Sequence, residues 1–368
     1  MFLITLPVLQ QTGRGLIWWI NGGDKKKSCT FIAFFESKNH CLTLPNNRIH
    51  GSLRRMGALL VMIILTGAGS CPLVAQQTSL ITQYMFSNMA FNPAYAGSSG
   101  GICATGLVRQ QWIGFKDPDG SKTAPQLYML TVDAPIKVLH GGVGGSIFQD
   151  QLGFFKTIAM KLGYAYRMDA GPGELSIGLQ VSLQNGSYDF SKLRPIDEND
   201  PLLTGQTGKS GDMIFDANLG LFYKVPDKYY IGLSAENLLQ SRGKTTHYQL
   251  RRTYYLTGGY QWEIPNHPAF QLRPSALLQY DGGTFQVNLS ALVMYNNKFY
   301  GGLGYRYQDA VSVLAGLNIK GLQIGLAYDI CTSTLSKYNS GSLEVLVSYC
   351  FRIDTDKFRR TYRNTRFL

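Results

Sequence analysis

The sequence predicts an all-β protein, a closed antiparallel transmembrane β-barrel of 14 strands preceded by an N-terminal strap segment. Within residues 299–330, apolar or aromatic residues alternate with glycine and polar residues over three consecutive stretches. Successive side chains on a strand point to opposite faces, so each stretch is a strand with one apolar and one polar face. Each is about 10 residues long, as membrane-spanning strands are, whereas soluble strands average about 5 or 6. The sheet must close because an open edge cannot face lipid.

The composition suits such a barrel better than a cytosolic enzyme. Only 16% of the 368 residues are charged, whereas glycine occurs 41 times, tyrosine 22 times and phenylalanine 19 times. Aromatic residues form girdles at both membrane interfaces of outer-membrane barrels. No apolar run reaches about 18 residues, so the sequence predicts no transmembrane helix.

Residues 56–75 are predicted to form a signal peptide. Arg54 and Arg55 supply the basic start, and residues 57–68 supply an apolar core of suitable length. The tripeptide LVA at residues 73–75 then provides a cleavage site. A buried core helix is the alternative for this stretch, and the basic flank argues against it.

The position of this signal bears on the residues around it. Cys71 would be the lipidation site of a lipoprotein, but the residues before it lack the expected leucine. An export signal this far inside a chain is not expected to work. Residues 1–55 are therefore predicted to be a mis-assigned upstream extension, with translation starting at or near Leu53 or Met56. N-terminal sequencing of the native protein tests this, and a peptide from residues 1–50 would contradict it.

The charge of the exported chain does not indicate nucleic-acid binding. The whole sequence carries a net charge of +12, and the chain after residue 75 carries about +6. No basic helix or basic–aromatic stripe accompanies this charge, so no nucleic-acid partner is expected. Part of the excess lies in a basic C-terminal tail, residues 354–368.

Three cysteines follow residue 75, namely Cys103, Cys331 and Cys350. This odd number, without a CxxC pair, predicts neither a disulfide framework nor a zinc site. Cys103 and Cys350 lie on the first and last predicted strands, which barrel closure makes neighbours. The sequence therefore leaves a bridge between these two cysteines open.

Residues 76–100 do not alternate and form the predicted strap. They combine several aromatic residues with an Asn-Pro turn at residues 92–93. One interpretation is a strap packed on the periplasmic side or inside the barrel, which the residues favour. The other is a docking element for a partner. The candidate partner-binding residues are Gln83, Tyr84, Phe86, Phe91, Asn92, Pro93, Tyr95 and Gly97.

The barrel itself is predicted to occupy residues 101–353. An even strand number is expected for a single-chain bacterial barrel. The fourteen predicted strands are 102–115, 124–134, 141–151, 155–168, 174–187, 213–225, 229–240, 250–263, 270–280, 284–296, 299–308, 311–320, 322–332 and 342–353.

The predicted connections support the same architecture. With both chain ends in the periplasm, every second connection is periplasmic, and these are tight turns, such as residues 226–228 and 320–321. The intervening set contains the long connections, at about residues 188–212, 241–249 and 333–341. Short periplasmic turns and longer outer loops are the rule for such barrels.

No catalytic constellation is found, and no catalytic, cofactor-binding or metal residue is predicted. His140, His247 and His267 are isolated from one another, so none has metal-ligand spacing. The glycines of residues 141–145 open a predicted strand, which indicates close strand packing rather than a phosphate loop. Acidic residues at 197–200 could bind calcium, but a solvated loop is the favoured interpretation.

Charged residues on the polar faces are predicted to point into the lumen and to form a network among themselves. Either a pore or a filled interior could result. The lumen-facing candidates are Arg109, Arg167, Glu174, Arg273, Arg306, Asp329 and Glu344, together with Lys161 and Asp216.

Several motifs resemble the PorP/SprF family of Bacteroidetes. They are QYMF followed by FNPAYAG within residues 83–97, RQQWIGF at 109–115, TVDAPI at 131–136, and the segment 190–201. The resemblance spans nearly all of residues 76–353. It implies an outer-membrane barrel tied to the type IX secretion system and gliding motility. It also implies partnership with secreted proteins that bear a C-terminal sorting domain and with periplasmic or outer-membrane secretion components.

Together these observations predict a non-enzymatic component of the cell outer membrane, surrounded by lipid, that anchors or helps deliver a secreted surface protein. The alternative is a channel or transporter for small or hydrophobic solutes. An outer-membrane enzyme is a third candidate, but the sequence shows no catalytic site for it. A channel should conduct in planar bilayers, whereas an adaptor should co-purify with a large secreted protein.

Overall fold

A computed structural model describes residues 80–115, 123–190, 208–245 and 248–352. The signal peptide, the upstream extension, the acidic residues 197–200 and the basic tail lie outside these ranges. The strands are β1 Gly101–Gln110, β2 Gln126–Ile136, β3 Gly141–Leu152, β4 Phe155–Ala170, β5 Gly173–Asp189, β6 Lys209–Val225, β7 Tyr229–Glu236, β8 Thr253–Tyr260, β9 Trp262–Glu263, β10 Phe270–Tyr280, β11 Phe285–Tyr295, β12 Phe299–Arg306, β13 Ala310–Ile319, β14 Leu322–Cys331 and β15 Ser342–Arg352.

These strands form one closed, antiparallel sheet. Apart from the short β9, each pairs with its neighbours in the chain, and β1 pairs with β15 along its whole length, from Gly101 opposite Arg352 to Gln110 opposite Leu343. Closure leaves no unpaired strand edge facing lipid, which is the condition for crossing a membrane in β-structure. The predicted fold class, a closed antiparallel transmembrane barrel, is confirmed.

The barrel has 14 strand positions, and the fifteenth strand is a short continuation. Both β8 and β9 pair with β10, so β9 lies on the same edge as β8. Gln261 separates them, and its backbone N–H donates to Lys228 O, in the turn between β6 and β7, at 2.7 Å. The sequence prediction treated this edge as a single strand.

The alternation of faces follows the sequence pattern. In β5, Leu179 and Leu183 are 58% and 46% exposed on the outer face, whereas Gln180 and Ser182 between them are buried on the inner face. In β5, apolar side chains thus meet lipid and polar side chains meet the lumen, as in outer-membrane barrels. The inner face of the barrel also carries buried apolar side chains, such as Leu107 of β1 and Leu292 of β11. The strands β5 and β6 run for 17 residues each, longer than predicted and longer than the roughly 9–11 residues needed to cross a membrane.

The two ends of the barrel differ. At one end, here called the short-turn end, the connections are tight, for example residues 171–172, 226–228 and 320–321. At the other, the long-loop end, the connections include residues 237–252 and 332–341. By the rule for such barrels, the short-turn end faces the periplasm. Among the described residues, no helix is long and apolar enough to span a membrane.

A disulfide joins Cys103 of β1 to Cys350 of β15, which lie directly opposite each other across the closing seam. The question that the sequence left open is thereby answered in favour of a bridge. Cys331 is free.

Removing the bridge with Cys103→Ser and Cys350→Ser is expected to lower the free energy of unfolding by roughly 2–4 kcal/mol, because the bridge restricts the unfolded chain. Urea unfolding in detergent, under oxidising conditions, measures the change. Cys331→Ser is the matched control and should leave stability unchanged. A double variant as stable as the control would contradict the prediction.

Candidate functional site: the plugged lumen

Residues 81–97, here called the plug, lie inside the lumen and pack against its wall. They form three short helical turns, Tyr84–Phe86, Asn88–Phe91 and Pro93–Tyr95. Their side chains are largely buried, with Gln83 and Ala94 fully inaccessible. The plug contacts the barrel wall near the long-loop end through Thr82 and near the short-turn end through Gly97. The strap is therefore inside the barrel.

Asn92 shapes the centre of the plug. Its side-chain oxygen accepts from Ala94 N at 2.9 Å and caps the turn Pro93–Tyr95, in which proline occupies the first position. Its amide nitrogen donates to Leu221 O at 2.9 Å on the wall. One side chain thus satisfies local backbone and links the plug to β6.

Glycines on the wall make room for the plug. A Cβ on Gly178 would lie 2.3 Å from Ala94 N, and one on Gly220 would lie 2.1 Å from Asn92 Oδ1. A Cβ on Gly325 would lie 2.0 Å from Gln83 Oε1. The same applies to two glycines near the start of β3, since a Cβ on Gly142 would lie 2.4 Å from Ala96 O and one on Gly144 would lie 2.3 Å from Met89 Cε. The wall is shaped to the plug in several separate strands.

Gly178→Ala is expected to destabilise the barrel by about 1–3 kcal/mol and to displace the plug, because the added methyl group overlaps plug backbone. Hydrogen–deuterium exchange of residues 81–97 and urea unfolding measure the two effects. Gly258→Ala is the matched control, since its Cβ would lie 3.7 Å from the nearest atom, Tyr230 O. Equal exchange and stability in both variants would contradict the prediction.

Aromatic contacts hold the middle of the plug. Phe86 packs on Tyr300 with ring centroids 5.0 Å apart, and Phe91 packs on Tyr255 at 5.4 Å. Tyr84 is buried, and its hydroxyl lies 3.1 Å from Ser275 Oγ. Burial raises the pKa of Tyr84, so it remains a neutral phenol. These contacts combine apolar burial with a hydrogen-bonded hydroxyl group on Tyr84.

A charged cluster lies on the wall toward the long-loop end. Arg109 of β1 is 2.6 Å from Asp329 of β14 and 3.0 Å from Glu344 of β15. Arg306 of β12 is 3.4 Å from Asp329 and 2.9 Å from Asp309. The side chains of Arg109, Arg306, Asp329 and Glu344 are almost wholly buried. Buried charges persist only when paired and hydrogen-bonded, and this cluster meets both conditions.

Thr82 ties the plug to this cluster. The backbone N–H groups of Thr82 and Gln83 each donate to Glu344, both at 2.8 Å. The Thr82 hydroxyl donates to Asp329 at 2.9 Å and accepts from Arg109 at 2.7 Å and from Arg306 at 2.9 Å. The plug therefore forms hydrogen bonds with four charged side chains, each of which belongs to a different strand.

The opposite end of the plug is held by a second set of polar contacts. Gly97 N donates to Asp133 Oδ2 at 2.9 Å, and Arg167 donates to Ala96 O at 3.0 Å. Lys224 donates to Ser98 O at 3.2 Å. The plug is thus anchored at both ends of the lumen, with apolar packing between.

The structure separates the lumen-facing candidates into groups. Arg109, Arg306, Asp329 and Glu344 meet in the cluster. Arg167 lies 3.6 Å from Glu174 near the short-turn end. Arg273 donates to Gln271 and Asn297 near that same rim.

Two further polar groups lie near the long-loop end. Lys161 pairs with Glu236 at 2.6 Å. Asp216 accepts from the backbone N–H groups of Leu239 and Ser241, so it holds the connection 237–252. Within the described ranges, no three His, Cys, Asp or Glu side chains are grouped so as to hold a metal ion.

Sequence reasoning missed Thr82, Asp133 and Glu236. Thr82 lies outside any alternating stretch, and its role depends on a fold-back of the plug that no local pattern encodes. Asp133 and Glu236 stand on inward-facing positions, so strict alternation could have found them.

The candidate partner-binding residues are enclosed in the lumen or lie against its wall. Gln83, Tyr84, Phe91, Asn92 and Pro93 are buried. Phe86 and Tyr95 are half-buried, with Tyr95 packed edge-on against Phe222, and Gly97 lies beside Ala134 and Gly142. Direct contact of these residues with a partner stays a prediction, and it would require the plug to leave.

Comparison with solved structures finds other barrels at low similarity. A mutant of TodX, a monoaromatic hydrocarbon channel, is 11% identical, with a TM-score of 0.44 over 77% of this chain and 97% of that one. Omp33 of Acinetobacter baumannii is 5% identical, with a TM-score of 0.40 over 68% and 99%. The KdgM porin is 12% identical, with a TM-score of 0.33 over 67% and 99%. These alignments are too loose to carry a conclusion about this chain.

No curated protein sequence matches the chain. A family model described as the type IX secretion system membrane protein PorP/SprF matches residues 73–349. That range includes the plug, Cys103 and all the strands except the last residues of β15, from Cys350 to Arg352. The chain therefore belongs to the PorP/SprF family of type IX secretion system membrane proteins and is an outer-membrane β-barrel.

Proposed function

We propose that the protein is a non-enzymatic adaptor of the type IX secretion system that anchors or helps deliver a secreted cell-surface protein. Family membership over residues 73–349 supports a role in secretion. The occupied lumen favours an adaptor over a passive channel, because the plug is bound at both ends and packs against the wall between them.

Two features of the long-loop end support it as the surface that holds the secreted partner. First, β5 and β6 are the longest strands and extend the wall beyond the length needed to cross a membrane. Second, Asp216 binds the connection 237–252 through two backbone contacts, accepting from Leu239 N and from Ser241 N. A pre-organised rim of this kind binds a partner with less entropic cost than mobile loops do.

The proposed partner is a secreted protein with a C-terminal sorting domain. The short-turn end would contact periplasmic or outer-membrane secretion components. The plug is a structural element in this proposal, since both of its ends are hydrogen-bonded to the wall. Its burial makes a passive, permanently open channel the weaker alternative.

The test is purification of the tagged, full-length protein from native membranes in mild detergent, followed by mass spectrometry. A large surface protein with a C-terminal sorting domain should be recovered in stoichiometric amount. Deleting that domain from the partner should abolish recovery while leaving secretion components bound. An unrelated tagged outer-membrane barrel from the same cells is the control for carry-over.

Recovery of the barrel alone, as a clean monomer, would contradict the adaptor proposal. Recovery of the same surface protein with the control barrel would also contradict it. Secretion components recovered without a surface protein would retain the role in secretion and overturn the anchoring of cargo.

A further inference from the structure

A chamber of about 370 Å³ lies between the plug and the long-loop end of the barrel. Plug residues Ile81, Ala90 and Phe91 form one side of it. Its other walls come from the ends of β2, β3, β4, β5, β7 and β8 and from residues of the connection 237–252. This volume lies within the range of small-molecule sites, roughly 300–1,000 Å³.

Aromatic rings make up much of the chamber lining. Phe155 packs on Tyr188 with centroids 4.4 Å apart and on Tyr248 at 5.1 Å. Phe148 and Tyr255 also line the chamber. The ring of Phe148 already forms a cation–π contact, since Lys161 Nζ lies 4.8 Å from its centroid. Ring faces are electron-rich, so a lining of this kind attracts positively charged groups.

Asp281 lines the same chamber, and its carboxylate forms no ion pair with any residue in the described part of the chain. Its Oδ1 accepts from Gly283 N at 3.1 Å and from Thr284 N at 2.7 Å. Its Oδ2 is buried and, among the residues that the structure describes, has no hydrogen-bond partner, while the whole residue is 4% exposed. By contrast, Lys161 and Glu236 in the same lining satisfy each other.

A buried carboxylate oxygen without a partner is costly unless a ligand neutralises it. An apolar solute would leave this oxygen without a hydrogen-bond partner or a counter-ion. A neutral hydroxyl group would donate one hydrogen bond and leave the charge in place. An ammonium group supplies both a positive charge for Asp281 and the charge that ring faces attract.

We propose that this chamber binds a small organic ammonium ion, with Asp281 as its counter-ion and the rings of Phe155, Tyr188 and Tyr248 around its apolar body. The site is separate from the plug anchors and does not depend on the anchoring role proposed above. It faces the long-loop end, so such a ligand would arrive from the side on which the longer loops lie.

The test uses the full-length protein in detergent, with choline as the probe and 3,3-dimethylbutan-1-ol as its uncharged isostere. Titration calorimetry or saturation-transfer NMR should show saturable 1:1 binding of choline at millimolar concentrations or below. The isostere should bind at least about tenfold more weakly, which is the loss of one charge-assisted contact.

Two variants locate the binding. Asp281→Asn keeps an acceptor for Gly283 and Thr284 but removes the charge, and it should weaken choline binding by about tenfold or more. Tyr188→Leu keeps apolar volume but removes a ring face, and it should weaken binding severalfold. Asp227→Asn in a short turn is the control, because Asp227 has a positive φ of 54°, which asparagine also tolerates.

The proposal is overturned if choline shows no saturable binding to the intact protein. It is also overturned if the uncharged isostere binds as well as choline, or if Asp281→Asn and Asp227→Asn bind choline equally. Heat-modifiability on gels verifies that each variant is a folded barrel before binding is measured.

Discussion

Arg109→Ala is expected to lower the free energy of unfolding by about 3–5 kcal/mol, which would be the largest effect of any single substitution in the lumen. Arg109 bridges Asp329 and Glu344 and also donates to the plug at Thr82. Its removal leaves Glu344 without a cationic partner at a fully buried position. Urea unfolding in detergent, followed by tryptophan fluorescence and gel mobility, measures the loss.

Two comparisons show whether charge is the cause. Arg273→Ala removes an arginine whose side-chain partners are amide oxygens, Gln271 and Asn297, and it should cost under about 1 kcal/mol. The double variant Arg109→Met with Glu344→Gln should cost less than Arg109→Ala alone, because it leaves no unpaired carboxylate. Equal losses in Arg109→Ala and Arg273→Ala would refute the importance of the cluster.

Deleting residues 81–96 is expected to convert a non-conducting barrel into an open pore. The intact protein should show no stable conductance steps in a planar bilayer, because the plug is anchored at both ends and its aromatic side chains fill the space between. Removal of the plug empties a lumen whose wall carries polar side chains together with leucines such as Leu107 and Leu292, and so opens a path through the barrel. Single-channel recording measures the change directly.

Folding of the deletion variant must be established separately, since the plug also contributes to the interior. Gel mobility before and after heating serves this purpose, and the Gly178→Ala variant offers a milder perturbation with the plug still present. Gly178→Ala should show brief, intermittent openings. Sustained conductance by the intact protein, equal to that of the folded deletion variant, would contradict a sealed lumen and would favour the channel over the adaptor.

The sequence by itself determined the architecture of the barrel. Alternation with a period of two is a local property, so it assigns each strand and each face without knowledge of the partner strands. Residues 299–330 illustrate this, since the three predicted strands appear as β12, β13 and β14 with ends shifted by one or two residues. The polar side chains of Arg109, Asp329 and Glu344 were placed in the lumen for the same reason.

Only the tertiary structure decided what those side chains do. Arg109 and Glu344 are 235 positions apart in the chain, and their contact depends on the closure of β1 on β15. The same closure set the Cys103–Cys350 bridge, which cysteine counting left open. The plug carries no alternation, so its location depended on contacts such as Ala94 against Gly178. Non-local pairings of this kind follow from the closed sheet, whereas periodicity describes only neighbours along the chain.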